Sequence, residues 1–154
     1  MPDDKVAKPP ILVSACLLGV RCNHEGEAAR VAVRESLEQH YHIVPVCPEV
    51  LGGLTSPRPA AEIQPDGRVL NAHGDDVTTA YRRGAEQAVR IAGATGARRA
   101  VLKARSPSCG SSQVYDGTFC RALVDGEGVT CAALRAAGLE VSSEDDLLPP
   151  RLLA

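Results

Sequence analysis

With 154 residues, 44% of them apolar, and a net charge of −2, the chain suits a single folded domain with a real core and leaves little room for disorder outside its tails. That charge offers nucleic acid no field, the arginines are scattered rather than striped, and no aromatic residues interleave with basic ones as a stacking platform. No apolar run approaches the length of a membrane span.

Residues 1–9 read as a loose tail without the apolar segment of a signal peptide, which sets the expectation of a cytoplasmic protein with reduced thiols. A first strand begins at about Pro10 and runs through Ile11-Leu-Val-Ser14 into a loop over 16–26 rich in Gly, Asn and charge. The spacing of Ala29, Val33 and Leu37 predicts a helix over 28–39. A second strand, Ile43-Val-Pro-Val46, contains Pro45, a mark of a missing ladder bond. The Gly and Pro content of 50–59 predicts an ordered loop, and 61–64 with 68–71 predict a small hairpin about Pro65-Asp66-Gly67.

Asp75 or Asp76 should cap the longest helix, over 77–92, with Val77, Tyr81, Ala85, Ala88 and Ala92 as its buried stripe and Gly93 or Gly96 as its stop. A third strand, Ala100-Val-Leu-Lys103, precedes a long polar loop over 106–115 and a turn at Asp116-Gly117. An extended segment over 118–124, a helix over 129–137 ending at Gly138, and a short strand over 139–142 complete the pattern, with a tail over 149–154. Strands alternating with helices predict an α/β fold: a single-domain, Rossmann-like three-layer sandwich over 10–148, with a mostly parallel sheet and a small hairpin. No internal repeat or linker divides it.

Three strands run straight into cysteine-bearing loops: Ser14 into Ala15-Cys16-Leu-Leu-Gly19, Val46 into Cys47-Pro-Glu49, and Lys103 into Ala104-Arg-Ser-Pro-Ser-Cys109-Gly110. If those strands are parallel, Cys16, Cys47 and Cys109 meet at the carboxyl edge of the sheet, where open α/β sheets bind ligands. A free cysteine is otherwise a small buried hydrophobe, which is the reading for Cys120 and Cys131, inside predicted elements. Cys22 shares a loop with Cys16 and stands as a fourth ligand, a spare thiol or a packing residue. Three thiolates can hold zinc with an open fourth position or an iron–sulfur cluster with one exchangeable iron. A third option is a non-catalytic module that carries sulfur or metal.

The neighbours suit chemistry. Glu49, two residues past Cys47, can transfer protons or cap the following turn. Ser106 and Ser108 flank Pro107 beside Cys109, as water-positioning hydroxyls or as turn formers. Ser111 and Ser112 follow Gly110 and could present N–H groups to an anion, and Arg58 and Arg105 are either anion clamps or solvated surface residues. His24, in Asn23-His24-Glu25-Gly26, is a metal ligand, a proton carrier or a loop histidine with neither role.

Taken together, Ser14-Ala-Cys-Leu-Leu-Gly19, Cys47-Pro-Glu49, Gly52-Gly-Leu-Thr-Ser-Pro-Arg-Pro59, Asp76-Val-Thr78, Ser106-Pro-Ser-Cys-Gly110, Tyr115-Asp-Gly-Thr-Phe119 and Gly128-Val-Thr130 resemble the thiouracil desulfidase family over roughly 11–146. The resemblance implies a 4Fe–4S cluster held by Cys16, Cys47 and Cys109, loaded by iron–sulfur assembly machinery, and the removal of sulfur from thiolated uracils as hydrogen sulfide without net redox chemistry. It further implies Glu49 as a proton carrier and Ser106 as the residue that activates or positions the attacking water. Many relatives have Tyr-Asp-Gly where this chain has His24-Glu25-Gly26. Some carry a fused second domain and act on thiolated RNA, whereas the single domain here directs the expectation to a thiolated pyrimidine base or its nucleotide.

Overall fold

The computed structural model describes residues 7–29 and 33–147. In chain order it comprises β1 (Pro10–Ser14), a 3-10 turn (Ala15–Leu18), α1 (Arg34–Glu38), β2 (His42–Val46), α2 (Pro48–Leu51), β3 (Ala61–Ile63), β4 (Val69–Asn71), α3 (Thr78–Thr95), β5 (Arg99–Leu102), β6 (Gln113–Tyr115), β7 (Leu123–Asp125), α4 (Val129–Ala136), β8 (Glu140–Ser143) and α5 (Glu144–Leu147).

One sheet of four parallel strands, in the order β2-β1-β5-β8, forms the frame. Side chains alternate across a strand, so β1 sends Ile11 and Val13 to one face and Leu12 to the other. Val33 and Leu37, from α1 and the residue before it, cover the first face together with Leu17. Ala88, Ala92, Cys131 and Leu134, from α3 and α4, cover the second. This is the expected α/β sandwich with a layer of helix on each side. Pro45 is tolerated because β2 lies at the sheet's edge and leaves one row of backbone groups without a ladder partner.

The chain leaves β1 for β2 on one side and returns to β5 on the other. The order therefore reverses at β1, and the crevice at the carboxyl ends of β1 and β5 is the natural ligand site of such a sheet. Two glycines fix what lies beside that crevice. A Cβ on Gly52 would run into the carbonyl of Ala80, and one on Gly84 into the carbonyl of Pro48, so α2 and α3 cross with their backbones in contact. Any side chain at either place would push Glu49 away from α3.

The hairpin of β3 and β4 forms as expected, antiparallel with Glu62 opposite Leu70. Helix α3 begins one residue later than anticipated and continues to Thr95, where Gly96 (φ 77°) ends it in the left-handed region. The helix anticipated over 28–39 is helical only from Arg34 to Glu38 within the described residues, and 30–32 lie outside them. A second antiparallel hairpin, β6 with β7, stands where a loop over 113–115 was expected, and the extended segment over 118–124 is strand only at its end. The tails anticipated over 1–9 and 149–154 fall outside the described residues, except 7–9, which have no regular structure. Among the described residues no helix is long and apolar enough to cross a membrane.

Candidate active site

The three strand-end cysteines line one cavity. Cys16 (9% exposed) sits in the 3-10 turn after β1, Cys47 lies between β2 and α2, and Cys109 (3% exposed) is in the loop after β5. All are free thiols, and with Cys22 they line one cavity of about 560 Å³. Burial pushes the Cys16 thiol up to about 11, against the pull of the Lys103 charge. Burial, reinforced by the negative charge of Glu49, pushes Cys109 up to about 12, against hydrogen bonds from the Ser14 and Ser108 hydroxyls. Cys47 moves the other way, down to about 6, chiefly because the Cys22 thiol hydrogen-bonds to it; the same contact raises Cys22. Buried thiols that resist ionisation in the free protein are stabilised as thiolates by a cationic metal centre.

Glu49 enters the cavity from the first turn of α2. Its Oε2 accepts hydrogen bonds from Arg58 Nε (3.0 Å) and Nη2 (2.8 Å) and from the Tyr81 hydroxyl (3.1 Å). The ion pair is sheltered, with side-chain exposures of 5% for Arg58 and 13% for Glu49. Arg58 Nη1 also donates to the carbonyls of Cys22 (3.1 Å) and Thr55 (3.0 Å), so four of the five guanidinium N–H groups are engaged. Arg58 is thus neither a solvated surface arginine nor a free anion clamp: it joins the Cys22 loop to the Glu49 helix. Glu49 Oε1 takes no hydrogen bond from the described residues, and no side-chain oxygen among them is both buried and unpartnered, so Oε1 is open to the cavity.

Ser106 lines the cavity, and its Oγ accepts the backbone N–H groups of Ser108 and Cys109, both at 3.1 Å. Both lone pairs are occupied, and the hydroxyl hydrogen is left to donate. Ser108, Ser111 and Ser112, anticipated as substrate contacts, are not brought to the cavity. Ser108 is fully buried and shares a 2.8 Å hydrogen bond with the Thr130 hydroxyl. Its carbonyl and that of Pro107 accept N–H groups from the first turn of α4, so the loop docks there and leads the next serines away. Arg105 reaches the rim, paired with Asp145 at 2.8 Å, and His24 lies there beside Glu25.

The sequence profile of the 2-thiouracil desulfurase family matches residues 11–146. The chain belongs to this family. It is 39% identical over 146 residues to the uncharacterized protein YbbK of Bacillus subtilis (strain 168), a match covering 89% of this chain and 97% of YbbK. Among solved structures it is similar to the 4Fe–4S-dependent thiouracil desulfidase TudS, with 43% identity and a TM-score of 0.86 over 95% of this chain and 96% of TudS. The 2-thiouracil desulfurase fold is therefore the fold described above.

In this member of the 2-thiouracil desulfurase family, the residues lining the cavity that sequence patterns did not single out for the site include Tyr81, Lys103, Glu62 and Arg121. Tyr81 was legible as part of a buried stripe, but its hydroxyl belongs to the site; a lone tyrosine among alanines signals a hydroxyl that needs a partner. Lys103 pairs with buried Glu144 at 2.9 Å, and Glu144 also accepts the Ala104 N–H at 2.7 Å, which fixes the loop to Cys109. Glu62 and Arg121 come from the hairpins. Cys131 is core as expected, fully buried. Cys120 is not: it is exposed, because Phe119 (φ 59°) and Arg121 (φ 61°) turn the chain through left-handed conformations rather than a strand.

Proposed function

We propose that this chain is an iron–sulfur-dependent desulfidase that replaces the thiocarbonyl sulfur of a thiolated uracil, as base or nucleotide, with oxygen from water and releases hydrogen sulfide. One observation carries the reading: Cys16, Cys47 and Cys109, from the ends of three parallel strands, line the same cavity as the carboxyl of Glu49. The donor set fits a 4Fe–4S cluster, since thiolate is its standard ligand. When bound through three cysteines, such a cluster supplies one iron with an exchangeable position, a Lewis acid matched to soft sulfur. TudS, named as a 4Fe–4S-dependent thiouracil desulfidase, supports the same assignment.

The protein's own groups then divide the remaining work. Arg58 and Tyr81 hold Glu49 by Oε2, so proton traffic between water and the departing sulfur runs through Oε1, the oxygen that faces the cavity. Ser106, with its lone pairs taken by two N–H groups, donates its hydrogen to orient the attacking water rather than removing a proton from it. A mononuclear zinc site has less support: among the described residues, no three His, Cys, Asp or Glu side chains are grouped tightly enough to share one ion.

Protein reconstituted anaerobically should convert 2-thiouracil or 4-thiouracil to uracil with release of sulfide, read as loss of the thiocarbonyl absorbance. Glu49→Gln should keep its cluster spectrum and lose turnover by about a hundredfold or more, the typical contribution of a positioned acid or base. A fully loaded cluster with no turnover of any thiolated pyrimidine refutes the substrate assignment. Unchanged turnover in Glu49→Gln refutes the role of that residue and favours a carrier.

A further inference from the structure

The cavity holds a second carboxyl that the mechanism above does not use. Glu62, the middle residue of β3, is only 9% exposed, yet it lines the cavity wall. Its Oε1 accepts the backbone N–H groups of Gly117 (2.9 Å) and Phe119 (3.1 Å), which clamps the turn of the β6–β7 hairpin onto β3. Gln64 Nε2 adds a bond to the Gly117 carbonyl at 3.1 Å. The other oxygen, Oε2, accepts no hydrogen bond from the described residues, and none of their side-chain oxygens is both buried and unpartnered. Oε2 therefore keeps access to solvent, on a residue that lines the cavity. A carboxyl so enclosed, with one oxygen satisfied by the protein and one offered to a shaped space, suits a ligand bearing an N–H donor. Tyr115 and Phe119 lie on the same wall and present aromatic surface to a flat ring.

We infer that Glu62 reads the ring N3–H of the substrate and so sets the preference of the cavity for uracil-type over cytosine-type rings. The inference rests on the desulfidase reading and deepens it. In a thiolated uracil, N3–H is bonded directly to the thiocarbonyl carbon whether the sulfur is at position 2 or 4. An acceptor fixed at N3 therefore holds the thiocarbonyl carbon one bond from a fixed point of the wall. A cytosine-type ring has a lone pair at N3, which would face the lone pairs of Oε2. A site built to accept an N–H rejects an analogue that lacks it, because a buried polar group is left unpaired.

Equilibrium dialysis on the reconstituted holoprotein tests this without relying on turnover. The probes are 1-methyluracil, whose only ring N–H is N3–H, and 1-methylcytosine, whose N3 is an acceptor; neither carries a sulfur that the holoprotein could remove. The wild type should bind 1-methyluracil about tenfold or more tightly than 1-methylcytosine, the effect of one buried hydrogen bond. Glu62→Gln keeps a carbonyl oxygen for the Gly117 and Phe119 N–H groups and turns an NH2 toward the cavity. It should bring the ratio to unity or below, with the cluster absorbance and melting midpoint unchanged. A wild type that does not distinguish the probes, or a Glu62→Gln that weakens both equally, overturns the inference and leaves Glu62 as a clamp on the hairpin. Turnover of 2-thiouracil by the wild type reports separately on the desulfidase reading, so either can fail without the other.

Discussion

Cys47 differs from its neighbours in a way that can be measured directly. The hydrogen bond from the Cys22 thiol lowers its pKa, whereas burial raises those of Cys16 and Cys109. The thiolate is the nucleophile, so at pH 7 the apoprotein should be alkylated by iodoacetamide at Cys47 and at exposed Cys120, with Cys16 and Cys109 modified last. The rate at Cys47 should fall at a lower pH than the rate at Cys120, because a lowered thiol stays ionised further into acid; peptide mass mapping reads both results. Cys22→Ala should slow the labelling of Cys47 at pH 7, since it removes the thiol whose hydrogen bond dominates the shift. Tyr81 bonds to the acid–base group. Its hydroxyl is one of three donors on Glu49 Oε2, so Tyr81→Phe should lower kcat by about tenfold at nearly unchanged KM, an effect of about 1.4 kcal/mol, the scale of one hydrogen bond to a charged group. A change confined to KM would move Tyr81 from holding the acid–base group to shaping the cavity.

At the level of elements, α2 is a single turn of helix that could not persist alone, and it is held by backbone contact with α3 through Gly52 and Gly84. Gly84→Ala should destabilise the protein by about 1–3 kcal/mol, the usual cost of overpacking, and reduce turnover further by displacing Glu49; thermal unfolding and steady-state kinetics read the two effects. The longer elements were legible in the sequence because their patterns are strong. An 18-residue helix with an alanine and tyrosine stripe, and strands of consecutive aliphatic residues, leave few alternatives. Strands β6 and β7 were not legible, since three residues of mixed polarity carry no period and their pairing is set by tertiary contacts. That hairpin is also where sequence reasoning misplaced Cys120 in the core and passed over Glu62, whose partners are backbone N–H groups more than fifty positions away.

On the scale of the whole molecule, the reversal of strand order at β1 gathers Cys16, Cys47 and Cys109 into one crevice. This gathering was legible in the order of residues alone, because a cysteine just past the end of a parallel strand has only one edge to occupy. The ion pair of Arg58 with Glu49 was not, since nothing in the Gly- and Pro-rich loop over 50–59 shows which way an arginine will point. Iron analysis after anaerobic reconstitution of Cys16→Ala, Cys47→Ala and Cys109→Ala, with Cys120→Ala as control, tests the gathering most directly. The wild type and the control should hold about four irons per chain, as for one 4Fe–4S cluster, and each of the other three should lose the cluster. A full complement of iron in any of those three, or an equal loss in Cys120→Ala, would contradict it.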